Sequence, residues 1–462
     1  MNNHVQRIGE EKVSKLLFKF SIPAIISMLV SAMYNIIDAI FIGHSVGPLG
    51  IAAVTVAFPI MMIQMAFGLL VGVGTTTLVS IRLGEQKHDE AQSILGNGFA
   101  LVLIIALIVS IAGLIFIEPL LQLFGASSDV MPYAKDFTTI ILAGSFFMTT
   151  GFSLNSLISA EGKPTKAMIL SVLGTLINLG LAPLFIFVLG WGIRGAALAT
   201  VIAQSITAIL IVSHFLRPNS YLKILLRNMK LKKELIINIM AIGSAPFLVQ
   251  LAQCVLSAVM NQSLLAYGGD VAISGLGIIY RIMTLIFLPV LGISQGAQPI
   301  IGYNYGALQY QRVKRTLVLA ISAATIISTV GFILTRAIPT QLIMLFNDDP
   351  QLVSFGTNAM AIFLFCLPIL GVQVIGSNYF QAIGKPKHAM VLSLSRQVLI
   401  LIPLLLILPK YLQLQGVLIA APISDFLSTV ITVIALVYEV RRLNQKENDL
   451  VRINTEEGNV LS

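Results

Sequence analysis

Twelve apolar runs dominate this chain, each of about 20 residues or more, the length an α-helix needs to cross a bilayer. They fall near 16–42, 51–80, 94–121, 133–160, 167–189 and 193–216, then near 236–267, 271–302, 313–336, 353–383, 388–408 and 415–440. The runs are continuous and lack the apolar–polar alternation of membrane-barrel strands. Only 11% of the 462 residues are charged and 56% are hydrophobic, with a mean hydropathy of +0.91. Soluble domains carry about 25% charge, so the solvent of this chain is lipid. The expected fold is all-α and integral to the membrane, with twelve transmembrane helices.

A net charge of +9 would suggest nucleic acid as the partner of a soluble protein. Here the basic residues stand in short segments between apolar runs, where they set topology, so no nucleic acid is expected. With the N-terminus in the cytoplasm, 23 of the 29 lysines and arginines fall inside and four (Lys135, Arg194, Arg336 and Lys410) fall outside, leaving Arg281 and Arg396 within helices. This split predicts an even number of spans, with both termini on the cytoplasmic side of the inner (plasma) membrane. The start, Met1 to Lys15, is polar and carries no cleavable signal pattern, so the first helix is expected to direct its own insertion. Cys254 and Cys366 lie in apolar runs of different halves without metal-ligand spacing. Reduced thiols are expected, with no metal and no cofactor.

The two halves repeat. Ala160-Glu161-Gly162-Lys163-Pro164-Thr165-Lys166-Ala167-Met168 recurs as Ala382-Ile383-Gly384-Lys385-Pro386-Lys387-His388-Ala389-Met390, at an offset of 222. Gly74 and Gly84 match Gly296 and Gly306 at the same offset, and Pro23 pairs with Pro246 one residue away from it. Six spans separate equivalent positions, so the repeats share one orientation and are related by an axis along the membrane normal. The expected organisation is a six-helix lobe over 1–216, a basic cytoplasmic linker over 217–234, a second six-helix lobe over 235–445 and a cytoplasmic tail over 446–462. The linker reads as a solvated loop held by anionic headgroups. Two lobes in one chain can form a central pathway by themselves, which predicts a monomer.

A charge inside the bilayer costs about 2.5–3.5 kcal/mol on insertion scales, so it needs a reason. Among the acids, Asp38 and Asp425 fall clearly within predicted spans, while Glu118, Asp136 and Glu161 sit at helix ends where the interface can hydrate them. Tyr34 and Asn35 share the face of Asp38 at helical spacing. Aligning Ser31-Ala32 and Asn35 with Ser257-Ala258 and Asn261 puts Leu264 opposite Asp38, so the acid is no part of the shared scaffold. A carboxyl group held away from bulk water suits a proton carrier; the bland alternative is a carboxylate satisfied by a neighbouring helix. Asp425 has Gln204 as its counterpart, and an ion pair with Arg281 or Arg396 would offset its desolvation. Further polar residues recur in apolar surroundings: Gln64, Gln295, Gln298, Tyr305, Asn378 and Tyr379, with Arg281 and Asp425, make a candidate substrate-binding set. Any one amide among them also serves as helix glue.

In this order, Tyr34-Asn35-Ile36-Ile37-Asp38-Ala39-Ile40-Phe41-Ile42-Gly43, the two Gly-Lys-Pro turns, Tyr280-Arg281 and Gln298-Pro299-Ile300-Ile301-Gly302-Tyr303-Asn304-Tyr305-Gly306 resemble the MATE (multidrug and toxic compound extrusion) transporters, above all their bacterial MepA-like branch. The likeness runs from about residue 10 to 445. It implies a V-shaped protein of two six-helix lobes that exchanges cationic, amphipathic compounds for protons or sodium ions. It also implies an ion-coupling role for Asp38, with Asn178, Thr200 and Asn155 around it; Asn35, on the face of Asp38, completes the candidate set. One departure stands out: where many relatives have an aspartate before the proline of the fifth helix, this chain reads Asn178-Leu179-Gly180-Leu181-Ala182-Pro183. A single carboxylate favours proton coupling, with sodium still open.

The expectation is therefore a secondary multidrug antiporter exporting small organic cations by alternating access. A flippase for lipid or lipid-linked oligosaccharide is the alternative within the wider superfamily. No His-Glu-x-x-His, Gly-x-Ser-x-Gly or nucleotide-binding Gly-x-x-x-x-Gly-Lys-Ser/Thr pattern is present, so no enzymatic activity is expected.

Overall fold

The computed structural model describes residues 3–460 except 218, 219 and 347; the side chains of 3, 4, 270, 450, 451 and 453–460 are not described. The first half opens with a short helix α1 (Asn3–Glu10), followed by α2 (Val13–Val46), α3 (Pro48–Gly84) and α4 (His88–Ile115). A short α5 (Ile117–Leu123) leads into α6 (Met131–Ala160), α7 (Pro164–Pro183, extended by a π turn at Leu184–Val188) and α8 (Gly192–Leu216). The second half comprises α9 (Lys233–Gly306), α10 (Tyr310–Ala337), α11 (Pro339–Met344), α12 (Pro350–Phe363) and α13 (Leu367–Ala382). It ends with α14 (Pro386–Leu394, continued by a π segment at Ser395–Leu401) and α15 (Ile402–Val460).

Among the described residues ten helices are long and apolar enough to cross a membrane, and α12 with α13, bent by 51°, makes eleven. That count already divides α9 into two arms, Lys233–Gly269 and Val271–Gly306, but takes Pro386–Asp449 as one helix of 64 residues. At 1.5 Å per residue such a helix would run about 96 Å, some three times the hydrocarbon thickness. It breaks at Gln413, whose φ of 51° is left-handed, and so crosses twice. Eleven and one give the twelve spans that the sequence predicts.

Backbone turns carry the duplication more faithfully than side chains do. Left-handed residues recur at the 222 offset between consecutive spans: Gly47 with Gly269, Gln86 with Leu308, Gly162 with Gly384. Glycine takes positive φ at no steric cost. Gln86 and Leu308 are held there by matching bonds, Lys87 N to Arg82 O and Gln309 N to Asn304 O, both 2.9 Å.

The lobes meet near the end that carries both chain termini, called here the termini end. A methyl group on Gly84 would stand 1.9 Å from the carbonyl oxygen of Tyr303, and one on Gly306 would stand 2.1 Å from that of Ile81. Ile81 and Tyr303, like Gly84 and Gly306, are repeat mates, so the contact is reciprocal about the pseudo-two-fold axis. Gly74 meets Ile239 and Gly243 meets Leu70 as closely, and Gly296 abuts Ser21 of α2. Gln298 reinforces the seam by donating to Thr77 Oγ1 across it at 2.9 Å.

Two expectations are corrected at this end. The linker is not simply a solvated loop: it is pinned to the first lobe by three side chains, Glu161 just after α6 and His88 and Asn97 of α4. Leu222 N and Ser220 Oγ donate to Glu161 (2.8 and 3.1 Å). Asn97 bonds Asn228 O and Lys232 N (2.9 and 2.7 Å), and the ring of His88 meets Tyr221 O (2.9 Å). Glu161 itself, expected to be hydrated at the interface, is fully buried, because it is the acceptor that this docked backbone requires. The predicted tail continues α15 to Val460; residues 461 and 462 lie outside the described residues.

Candidate functional site

The polar residues of the first lobe converge where α2, α7 and α8 pack together. Thr200 Oγ1 donates to Ala196 O one turn back (3.1 Å), which uses its only proton. It therefore accepts from both Asn178 Nδ2 (3.0 Å) and Tyr34 Oη (3.1 Å). Asn178 Nδ2 also lies 3.2 Å from Tyr34 Oη, its second acceptor. Every donor in the group is now engaged. Asn178 Oδ1 and Asp38 Oδ1 are both buried without a hydrogen-bond partner, and Asp38 stands one helical turn from Tyr34. What remains is acceptor capacity only, an arrangement that a positive ligand satisfies and an anion does not.

One turn further toward the opposite end, the same three helices become apolar. Ile42, Ala182 and Ala196, each four residues from Asp38, Asn178 and Thr200, join Ile186 and Ala199 in one buried cluster. Ala182 is the position at which the family resemblance led to the expectation of an aspartate. Here its methyl group belongs to that apolar seal.

Other expected members of the ion-coupling set stand apart. Asn155 donates to Ser171 Oγ at 3.0 Å, and Ser171 lies two turns, about 10 Å, before Asn178 on α7. Asn155 Oδ1 is buried and unpartnered too, but no bond joins it to the Asp38 group. Asn35 is exposed. Tyr34, absent from the candidate set, is the residue that ties α2 to the pair of Asn178 and Thr200; its one signal was the spacing of four residues from Asp38.

The candidate substrate-binding residues are not gathered into one site. Asp425 accepts from Arg396 Nε at 2.7 Å, and the neighbouring Ser424 donates to Arg396 O, in the π segment, at 2.5 Å. Of the two arginine partners that the sequence left open for Asp425, the structure pairs it with Arg396. Gln397 donates to Gln253 Oε1 at 3.0 Å. Gln64 of α3 is buried with neither amide atom paired. Asn378 donates to Ser294, and Tyr379 is fully buried with an unpartnered hydroxyl. Tyr305 lies under Lys446, whose ammonium is 5.6 Å from the ring centroid. Gln298 belongs to the seam, while Gln295 and Arg281 are exposed. Glu439, which the sequence did not single out, is buried within α15 and paired with Lys385 of the second Gly-Lys-Pro turn.

Comparison with known proteins agrees with this architecture. The multidrug export protein MepA of Staphylococcus haemolyticus (strain JCSC1435) is 29% identical over 449 residues, which is 96% of this chain and 98% of that protein. MepA of Staphylococcus aureus (strain MSSA476) is 26% identical over 440 residues, or 95% of this chain and 97% of that one. Among solved structures, the MATE multidrug transporter DinF-BH superposes with a TM-score of 0.89 at 40% identity, covering 96% of this chain and 99% of that chain. An outward-facing multidrug resistance MATE family transporter of the MOP superfamily superposes at 0.90 with 25% identity, covering 96% and 99%. The MatE family model matches twice, over residues 23–184 and 246–407, once in each half and most of both. A duplicated set of twelve spans, with an acceptor-only polar group in one lobe and two family matches in register with the repeat, makes this chain a membrane transporter of the MatE family.

Proposed function

We propose that this transporter exports cationic, amphipathic compounds in exchange for protons, with Asp38 as the residue that carries the proton. The observation behind this reading is the unpartnered remainder of the group: a carboxyl oxygen and an amide oxygen, both buried, beside donors of Tyr34, Asn178 and Thr200 that are already engaged. A proton satisfies Asp38 with one bond. Sodium wants several hard oxygens with negative charge, and the buried methyl group of Ala182 stands where a second carboxylate would help to supply them. The names of the relatives, multidrug export protein and multidrug transporter, support the cargo class.

The distribution of 23 basic residues against four supports a cytoplasmic termini end. Alternating access then has the lobes part in turn at the termini end and at the opposite end. Likeness to an outward-facing relative, together with a seam drawn tight at the termini end, supports an outward-open reading of the present state.

The test is uptake of a fluorescent cation into liposomes under an imposed pH gradient, with and without sodium, for wild type and Asp38→Asn. Transport that follows the proton gradient and disappears in the variant is expected. Transport indifferent to the gradient, or unchanged in Asp38→Asn, would return Asp38 to a structural role and bring the flippase reading forward.

A further inference from the structure

The helix α1 belongs by sequence to the first lobe, yet it docks on the second. Its packing partner is α9, with Val5 and Ile8 buried in the shared core. A methyl group on Gly9 would lie 3.0 Å from the ring of Tyr303. Carbonyls at the C-terminal end of α1 and of the residue after it, which have no partner within the helix, are taken by two second-lobe side chains. Arg312 Nη2 donates to Ile8 O (2.9 Å) and Glu11 O (2.7 Å), and Asn304 Nδ2 donates to Ile8 O (3.2 Å). Arg312 Nε in turn donates to Asn304 Oδ1 at 2.8 Å, which fixes the geometry of both. A positive charge at a helix C-terminus is also favourable to the helix dipole.

Between α1 and the matching turns of the two lobes is a cavity of about 350 Å³ lined by Gln6, Glu10, Glu85, Gln86, Tyr303 and Gln309. The linker makes a useful contrast. Its bonds to Glu161, Asn97 and His88 all stay within the first lobe and its appended chain, so they survive a rigid-body movement of that lobe. The bonds of α1 cross the seam beside the reciprocal contacts of Gly84 and Gly306. They sit where the lobes must separate if the termini end is to open.

From this geometry we infer that α1 is a latch. Docked by Arg312 and Asn304, it holds the termini end closed, and opening requires those bonds to break or the Glu11–Lys12 joint to give. The latch sets the balance between the two states of the cycle and takes no part in binding cargo or the coupling ion. The inference rests on the alternating-access reading above, and its test is read without cargo.

Spin labels at Asp89→Cys and Arg315→Cys, exposed on the first and second lobes at the termini end, would report the separation of the lobes on a background lacking Cys254 and Cys366. Three variants are compared with the parent in liposomes: Arg312→Ala, removal of residues 1–10, and Gly9→Leu, which crowds Tyr303 and leaves Arg312 intact. The ratio of open to closed populations is expected to rise in each, and by about tenfold or more in Arg312→Ala, the effect of losing a charge-assisted hydrogen bond. A folded Gly9→Leu protein and a folded truncated protein whose distance distributions match the parent would overturn the latch. If proton coupling through Asp38 were wrong while the latch is right, the uptake assay would fail and these distance shifts would still appear.

Discussion

Ala182 is the residue in which this chain departs most instructively from its family, because a methyl group there ends the polar group instead of enlarging it. The Ala182→Asp variant would place a carboxylate one turn from Asn178, whose amide oxygen already lacks a partner. A second negative oxygen donor favours a hard monovalent cation. Cation uptake by Ala182→Asp liposomes is expected to respond to an imposed sodium gradient, where wild type does not. Equal indifference to sodium in both proteins would remove Ala182 from the account of ion choice. Tyr34→Phe tests the other edge of the group. It deletes the donor to Thr200 and one acceptor of Asn178, at a cost of about 0.5–1.5 kcal/mol in stability. The proton-driven rate should fall more than that loss explains, because Asn178 is then free to turn its amide toward Asp38; a rate unchanged at equal protein would refute this role. Asp38 was legible in the sequence because a lone acid in an apolar run is costly and stands out. Tyr34 was not, since a tyrosine in such a run is ordinary until α7 and α8 are brought beside it. Asp425 was legible as charged but not as paired, since Arg281 and Arg396 were equal candidates until the π segment turned one of them toward it.

Among the elements, the spans and their duplication could be read directly from apolar length and the Gly-Lys-Pro repeat, because lipid leaves a helix no other way to satisfy its backbone. The matched glycines were legible as a repeat but not as a seam; that requires knowing that α3 lies against α9. Gly84→Ala would set a methyl group within 1.9 Å of the Tyr303 carbonyl, and Gly306→Ala would do the same to Ile81 at 2.1 Å. Backbone cannot yield as a flexible side chain can, so the helices themselves must move apart. Either variant should open the termini end, and the two should act alike because their contacts are repeat mates. A cysteine at Ser80, buried near Gly302 in the seam, is expected to react faster with a polar maleimide in both variants than in the parent. Slower or equal labelling would mean that the seam absorbs the methyl group without opening. The linker was the element least legible in sequence. Its basic composition reads as solvated, and only the three-dimensional neighbourhood of Glu161, Asn97 and His88 reveals a docked strut.

At the scale of the whole molecule, each lobe fastens its Gly-Lys-Pro turn to its last span through a buried acid, with the acid in exchanged places. In the first lobe the acid is in the turn: Glu161 accepts from His214 Nε2 of α8 at 2.8 Å. In the second the turn supplies Lys385 and α15 supplies Glu439. The first version has an added duty, because the Glu161 carboxylate also receives the linker that joins the lobes. Burial alone would push the Glu161 carboxyl up. The hydrogen bond from His214, the charge of Lys163 and the Leu222 N–H together bring it below the ordinary value of 4.5. A carboxylate with a lowered folded-state pKa contributes stability above its unfolded value, and that contribution is lost as pH falls through the folded one. Linker docking should therefore be intact at neutral pH and weaken below about pH 4.5. Glu161→Gln is expected to lose about 1.5–3 kcal/mol of stability at pH 7, the worth of hydrogen bonds to a charged group. The gap in melting temperature between wild type and variant, measured in detergent micelles from about pH 7 down to about pH 3.5, should stay level at first and then narrow. A gap that stays constant to the lowest pH would mean that the Glu161 charge does not hold the linker, and that the strut is fastened by Asn97 and His88 alone.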